Sequence, residues 1–317
     1  MKAVVINSYR GCDALEAKEM PKPAAAPGKV LVRVRASSIN AGDYFTAKGS
    51  PFLVRFMTGF PRPHDFVLGW DIAGTVEEIG PGVGAFKPVD EVYGATSGAY
   101  AEYALIAEGA LARKPARLSF EEAAALPTAA LTALQALRDN GKLARGMKVI
   151  VNGASGGVGT CAVQIAKALG AEVCAVCSGR NAELLRSLGA DRVVDYSRED
   201  FAETCGGYDL VLDNVASRKL GDLKKILAKG GRVLPNSGHG GMGYVAKVGV
   251  AGLFDKRIGS MRGAKTLTTD LDVISAFVAE GKLKPVIDAA YPLSEARAAF
   301  KRYADEHPRG KIVISVP

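Results

Sequence analysis

Histidine, tryptophan and cysteine are scarce in this chain of 317 residues: three, one and five. His64, His239 and His307 lie far apart and offer no metal-ligand spacing. The cysteines, Cys12, Cys161, Cys174, Cys177 and Cys205, form an odd set without framework spacing, which argues against a disulfide scaffold. Cys174 and Cys177 formally match C-x-x-C. They fall in the apolar run "EVCAVCS", however, where strand geometry sends positions three apart to opposite faces. Buried strand thiols are therefore expected, not a redox or metal pair. No apolar run approaches the roughly 20 residues that span a bilayer. The start, "MKAVVINSYRG", lacks a signal peptide's long apolar region and cleavage site. A cytoplasmic chain without a membrane partner is expected. Internal repeats and low-complexity segments are absent as well.

Acidic residues are outnumbered, and the net charge is +8. The basic residues are scattered, and the short pairs Arg113-Lys114 and Lys224-Lys225 are not interleaved with aromatics. That is a solvated surface, not a nucleic-acid interface, and a phosphate-bearing cofactor would use part of the excess.

What is present is a globular composition, 48% apolar and 23% charged, at a length that suits two domains. Up to about residue 120 the pattern is β-rich. "KVLVRVRASS" sets Val30, Val32 and Val34 on one face and Arg33 and Arg35 on the other, a half-buried strand. Gly80-Pro81-Gly82 and Lys87-Pro88 punctuate further short runs, as in a small barrel-like β domain. From Ser119 the character changes. A Ser-x-x-Glu capping box opens "SFEEAAALPTAALTALQAL", a run of helix formers broken by Pro127. Strands "KVIVNG", "EVCAVCS", "RVVDY", "YDLVLDN" and "GRVLPN" then alternate with helices "GTCAVQIAKALG", "NAELLRSLG" and "LGDLKKILAKG". Such alternation predicts an α/β, doubly wound parallel sheet. A helix near 270–281, a strand through "VIDAAYPL", a helix from Ser294 and a strand "KIVISV" close the chain.

"VIVNGASGGVGT" is the strongest motif. A strand over 148–152 leads into Gly153-Ala154-Ser155-Gly156-Gly157-Val158-Gly159, and a helix opens near Gly157. Glycines allow the tight turn, the approach of backbone N–H groups to a pyrophosphate and close helix–strand packing. Between a strand and an amphipathic helix, the cluster reads as a dinucleotide site with Ser155, Gly156, Gly157 and Val158 at the phosphates. An NAD site places an acid at the C-terminal end of the second strand. Glu172 stands at the wrong end of that strand, and the right end carries Ser178-Gly179-Arg180-Asn181. A hydroxyl, an arginine and an amide suit a 2′-phosphate, and Tyr196 closes the same pocket, so NADPH is expected.

The segments "GWDIAGTVEEIGPGV", "GAYAEYALI", "LPTAALTALQAL", "VNGASGGVGTCAVQIAKALGAEV", "LGADRVVDY", "YDLVLDNV" and "GKIVISV" resemble the medium-chain dehydrogenases/reductases, in their zinc-free quinone oxidoreductase-like branch. The resemblance runs from end to end. It implies a GroES-like catalytic domain over 1–122 and 266–317, a Rossmann domain over 123–265 and an active site in the cleft between. Zinc members carry a Cys in the early loop and Gly-His-Glu in the next motif. Here Asn40 and Trp70 stand in those places, and the ligands of a catalytic zinc are missing. Without a Lewis acid, conjugate hydride transfer is the less demanding reaction, because a few donors stabilise the developing oxyanion. The expected function is NADPH-dependent, metal-independent reduction of small quinones, enones or enals. The alternatives are an enoyl-thioester reductase and a non-catalytic NADPH-binding scaffold.

In the loop expected to face the nicotinamide, Asn40 would orient cofactor or substrate. Tyr44 is the candidate proton donor, and Asp43 is expected to fix the loop. A packed tyrosine is the plainer alternative for Tyr44. Thr128 and Thr132 are expected near the nicotinamide ribose or as packing residues. By resemblance Asn214 and Val215, and less securely Asn236 and Ser237, line the ribose path. Lys311 would return toward the cofactor or lie on the surface. Trp70 would wall the substrate cleft or pack in the core at the seam. "HGGMGYVAKVGVAGLF" is a pocket wall or an interface segment, "KRIGSMRG" is an edge strand, and a homodimer is implied by the resemblance alone.

Overall fold

The structure, a computed structural model, describes residues 1–237, 241–261 and 263–317. Its strands are β1 (Lys2–Ile6), β2 (Leu15–Glu19), β3 (Lys29–Ser38), β4 (Phe66–Val67), β5 (Asp71–Ile79), β6 (Glu91–Ala95), β7 (Tyr103–Ala107), β8 (Leu111–Arg113), β9 (Lys148–Asn152), β10 (Glu172–Cys177), β11 (Arg192–Asp195), β12 (Tyr208–Asp213), β13 (Leu227–Pro235), β14 (Ile287–Pro292) and β15 (Lys311–Ser315). Helices α1 (Ala41–Lys48), α2 (Val54–Thr58), α3 (Phe120–Ala124), α4 (Pro127–Leu134) and α5 (Gly157–Ala168) carry most of the functional positions. The chain divides into two units. One holds Met1–Ala129, Thr266–Ala279 and Pro285–Pro317; the other holds Ala130–Lys265 and Glu280–Lys284.

The first unit is the β-rich one. Its larger sheet runs β14-β15-β3-β5-β6-β8 with β7 also on β3, and a smaller one runs β2-β1-β4. Strand β3 buries Val30, Val32 and Val34 and exposes Arg33, as its alternation predicts. The core of Ile6, Val32, Ile72, Tyr100, Phe300 and Ile314 draws on both ends of the chain. Pairing register assembles one edge of this sheet: Ser38 lies opposite Asp71 of β5 and Val313 of β15. The first residue of β15, Lys311, is thereby brought beside the end of β3. The expected first boundary, after residue 122, falls inside this unit, because Thr128 of α4 is bonded to Asp71.

The second unit is a five-stranded parallel sheet in the order β11-β10-β9-β12-β13, the doubly wound arrangement expected. Its central strands β9, β10 and β12 are nearly all buried, as covered parallel strands must be, whereas the edge strands β11 and β13 are only partly so. Glu280–Lys284 joins it through Gln164, whose amide exchanges two 3.0 Å bonds with the Lys284 backbone. Two element predictions change. The helix expected over 220–230 stops at Lys225, and β13 takes over from Leu227 with Gly230 at φ +83°, a backbone that helices do not use. The expected edge strand in 256–263 reduces to a parallel bridge of Val233 with Ile258, and Arg262 lies outside the described residues. The glycine-rich stretch after β13 folds as a helix, Gly241–Phe254; residues 238–240, His239 among them, lie outside the described residues.

Candidate functional site

In the first unit a closed polar network sits where β3 ends and α1 begins. Asn40 and Asp43 form a capping box, with Asp43 Oδ2 accepting the Asn40 N–H at 2.9 Å. Asp71 is fully buried, and both of its oxygens are engaged. Oδ1 accepts from the Thr128 N–H (2.8 Å) and hydroxyl (2.5 Å). Oδ2 accepts from Ser38 Oγ (2.7 Å), Asn40 Nδ2 (2.9 Å) and Lys311 Nζ (3.1 Å). Lys311 also donates to Asn40 Oδ1 at 2.5 Å and is only 5% exposed. It is therefore not a surface lysine: its ammonium neutralises Asp71 and clamps the Asn40 amide. Asn40, expected to orient cofactor or substrate, is buried with its polar atoms bonded to the protein itself, and Asp43, expected to fix the loop, caps the start of α1.

Asp43 is the second buried carboxyl. It accepts from Gly69 N (3.2 Å) and from Tyr100 Oη (3.1 Å). Burial is the main reason its pKa rises from 3.8 to about 7; the hydrogen bond from Asn40 N–H pulls the other way, and the Asp71 charge adds to the rise. Tyr100 has one hydroxyl proton and two acceptors, Asp43 Oδ2 and the Ser38 carbonyl at 3.2 Å.

Tyr44, one residue on, is half-buried. Its ring tilts against Tyr303 at 5.8 Å and carries the Lys48 ammonium 4.4 Å from its centroid. Trp70 is 38% exposed, so it is not a core residue. Its six-membered ring covers Gly42 so closely that a Cβ there would lie 2.3 Å from it. The lone tryptophan caps the first turn of α1 with an open apolar face.

In the second unit the glycines divide the labour. Gly153 takes φ +73°, which turns the chain out of β9. A Cβ on Gly159 would lie 2.2 Å from the Gly153 carbonyl, so this glycine permits the helix–strand contact. Gly156, the N-cap of α5, has only one atom near its missing Cβ, at 3.7 Å. This is an open cradle of backbone at a helix N-terminus, and it fits a pyrophosphate. Ser155, Gly157 and Val158 complete the turn. Val215 packs on Gly153, and Asn214 bonds Asn152 O (3.1 Å) and Asn236 Nδ2 (2.7 Å), so Asn214, Val215 and Asn236 gather at the carboxyl ends of β9, β12 and β13. Ser237 follows, buried. Thr132, half-buried, lies in this unit, whereas Thr128 belongs to the Asp71 network of the other.

At the end of β10, Asn181 is buried and its amide reaches Ser178 Oγ at 3.3 Å. Arg180 and Tyr196 are exposed. Glu172 stands at the opposite end of the strand, 3.5 Å from Lys148. Sequence reasoning missed Asp195. The β10–β11 register puts it beside Cys177, and a Cβ on Gly179 would meet its carboxylate at 2.3 Å. The available signal was its place at the end of the third strand, just before Tyr196. Asp213 was missed as well: fully buried, its Oδ1 gathers Asn152 Nδ2 (2.8 Å) and the Val215 and Ala216 N–H groups and so shapes the turn after β12.

Comparison with known proteins gives two family-model matches. The model of an alcohol dehydrogenase GroES-like domain covers residues 26–116, and that of a zinc-binding dehydrogenase covers 188–314. The chain is 35% identical to a chloroplast envelope quinone oxidoreductase homolog of Arabidopsis thaliana, over 99% of this chain and 98% of that one. It belongs to the medium-chain dehydrogenase/reductase superfamily. A quinone oxidoreductase of Coxiella burnetii superposes with a TM-score of 0.89 at 30% identity, covering 100% of this chain and 99% of that chain. An NADPH-dependent alkenal/one oxidoreductase of Arabidopsis thaliana is 31% identical over 99% of this chain and 79% of its own length. Within the superfamily this dehydrogenase/reductase falls in the quinone oxidoreductase-like branch, and membership makes it an oxidoreductase that uses a nicotinamide cofactor. A catalytic zinc, which that family model's description brings to mind, needs three or more protein ligands. The network does not fit one: the Asp71 oxygens are taken and an ammonium stands 3.1 Å away. Among the described residues no group of three or more His, Cys, Asp and Glu is placed to hold a metal ion.

Proposed function

We propose that this protein reduces quinones or α,β-unsaturated carbonyl compounds with NADPH and without a metal ion. The observation that carries the reading is the Asn40–Asp71–Lys311 network, a satisfied, charge-compensated assembly around Asn40, the residue that by resemblance stands where zinc relatives carry a ligand Cys. Such an assembly offers no Lewis acid to stabilise an alkoxide, whereas conjugate reduction requires only donors at a developing oxyanion. The dinucleotide, when bound, supplies the hydride.

The residues take the following parts. Gly156, Gly157 and Val158 receive the pyrophosphate on backbone N–H groups, with Ser155 beside them. Ser178, Arg180, Asn181 and Tyr196 hold the 2′-phosphate. Asn214 and Val215, with Thr132, line the path of the nicotinamide ribose. Lys311, Asp71 and Thr128 act through Asn40 as positioning residues and fix the loop that presents Tyr44. Tyr44 Oη holds the proton for the product, and Trp70 offers the apolar face for the substrate.

Turnover of NADPH and NADH with a panel of p-quinones, alkenals and enoyl-CoA tests the assignment. The expected outcome is oxidation of NADPH by quinones or enals, with NADH poorer by tenfold or more. Tight NADPH binding with no oxidation by any of the panel would overturn it in favour of a scaffold.

A further inference from the structure

From Tyr44 to His64 the chain carries Lys48, Arg55, Arg62 and His64 and not one carboxylate. The same stretch turns five large apolar side chains to solvent: Phe52, Leu53, Phe56, Met57 and Phe60, between 53 and 84% exposed. Helix α2, at its centre, buries no residue. A helix of five residues that hides nothing has no core of its own to hold it. It is held from below instead. Tyr9 Oη stands 2.7 Å from Thr58 Oγ1 and donates to the Gly59 carbonyl at 2.5 Å. Arg55 donates to the Gly49 carbonyl at 3.1 Å, and its guanidinium lies 4.7 Å from the Tyr9 ring centroid.

The exposed rings also hold one another. Phe56 stacks on Phe60 at 5.6 Å, and Phe52 meets both edge-on, at 5.6 and 6.0 Å. The patch is thus preformed, and a contiguous preformed apolar patch marks an interaction surface. Its surroundings identify the partner. Cations flank the apolar tip, and Asp65, the next acid along the chain, is already paired with Lys18. A second copy meeting it through this same patch would bring like charge against like charge, since the stretch carries Lys48, Arg55 and Arg62 and no carboxylate.

We propose that the Phe52–Phe60 prow docks on an anionic lipid bilayer, with its rings at the acyl-chain boundary and the exposed Lys48 and Arg62 against the headgroups. Among the described residues no helix is long and apolar enough to cross a membrane, which does not bear on surface docking. The surface stands independently of the reaction assigned above.

Vesicle co-sedimentation of the full chain tests the proposal, with phosphatidylcholine alone and with phosphatidylglycerol added. The wild type is expected to sediment with the anionic vesicles and to be released by salt. The pair Phe56→Ser and Met57→Ser should weaken partition at least about tenfold. Arg62→Ser should weaken it less, and Leu253→Ser with Phe254→Ser, exposed apolar residues elsewhere, should leave it unchanged. Thermal melts check that each variant is folded, and Met57→Ser alone serves if the pair melts early. A wild type that stays in the supernatant would overturn the proposal, as would a Phe56/Met57 variant that binds like wild type. So would a wild-type dimer that this variant converts to monomer, which would make the patch a contact between copies.

Discussion

Lys311 is the residue on which the buried network turns. Its side chain and that of Asp71 are 6% and 0% exposed, so removing one charge strands the other in a medium that solvates it poorly. Lys311→Met is expected to cost about 3–5 kcal/mol in denaturant unfolding. Lys311→Met with Asp71→Asn should recover a large part of that loss, because no charge is left uncompensated; equal losses for single and double variants would show that packing, not charge, is at stake. Asp43 gives the network a pH dependence. Its folded pKa near 7 lies above the 3.8 of the free side chain, so between these values the folded chain keeps a proton that the unfolded chain has released. Stability from this group is full below about pH 3.8 and is lost as pH rises through about 7. Unfolding measured across that window should fall more steeply for wild type than for Asp43→Asn. Parallel curves would place the titration elsewhere.

In the proposed function, the turn from β9 into α5 and the end of β10 decide cofactor binding. A methyl group at Gly156 enters open space, whereas one at Gly159 meets the Gly153 carbonyl. Gly156→Ala is therefore expected to melt like wild type but bind NADPH about tenfold more weakly, read by quenching of Trp70 or by calorimetry. Gly159→Ala should lose stability and binding together. The strand–glycine turn–helix unit is thus legible in the sequence, while its division into turn, cradle and packing positions needed the backbone. The end of β10 shows where sequence reading stopped. Counting along one strand finds Ser178 and Arg180; it does not find Asp195, which reaches Gly179 only through pairing with the neighbouring strand. The two side chains pull in opposite directions, since arginine favours a 2′-phosphate and a carboxylate favours a free 2′-hydroxyl. Arg180→Ala should lower the NADPH-to-NADH ratio of kcat/KM by about tenfold, and Asp195→Asn should raise it. No change with either would remove this pocket from the account.

At the scale of the whole molecule, the alternation of strands and helices was readable because each βαβ step repeats a local pattern. The polar network was not, because it joins residues 40, 71, 128 and 311, whose meeting depends on sheet register. Asn40 and Lys311 were both marked out in the sequence, one for the loop and one for the cofactor or the surface. Only the fold shows that they hold each other. With the proposed function, the buried Lys311–Asp71 pair means that turnover needs no metal ion. The direct measurement is a stopped-flow single turnover of chelator-treated protein, its metal content determined on the same sample, mixing NADPH-loaded enzyme with a quinone or an enal. The expected result is full-amplitude loss of the reduced-nicotinamide absorbance with metal far below one equivalent, and no gain when zinc is added. Turnover that vanishes with chelation and returns in proportion to added zinc would contradict it.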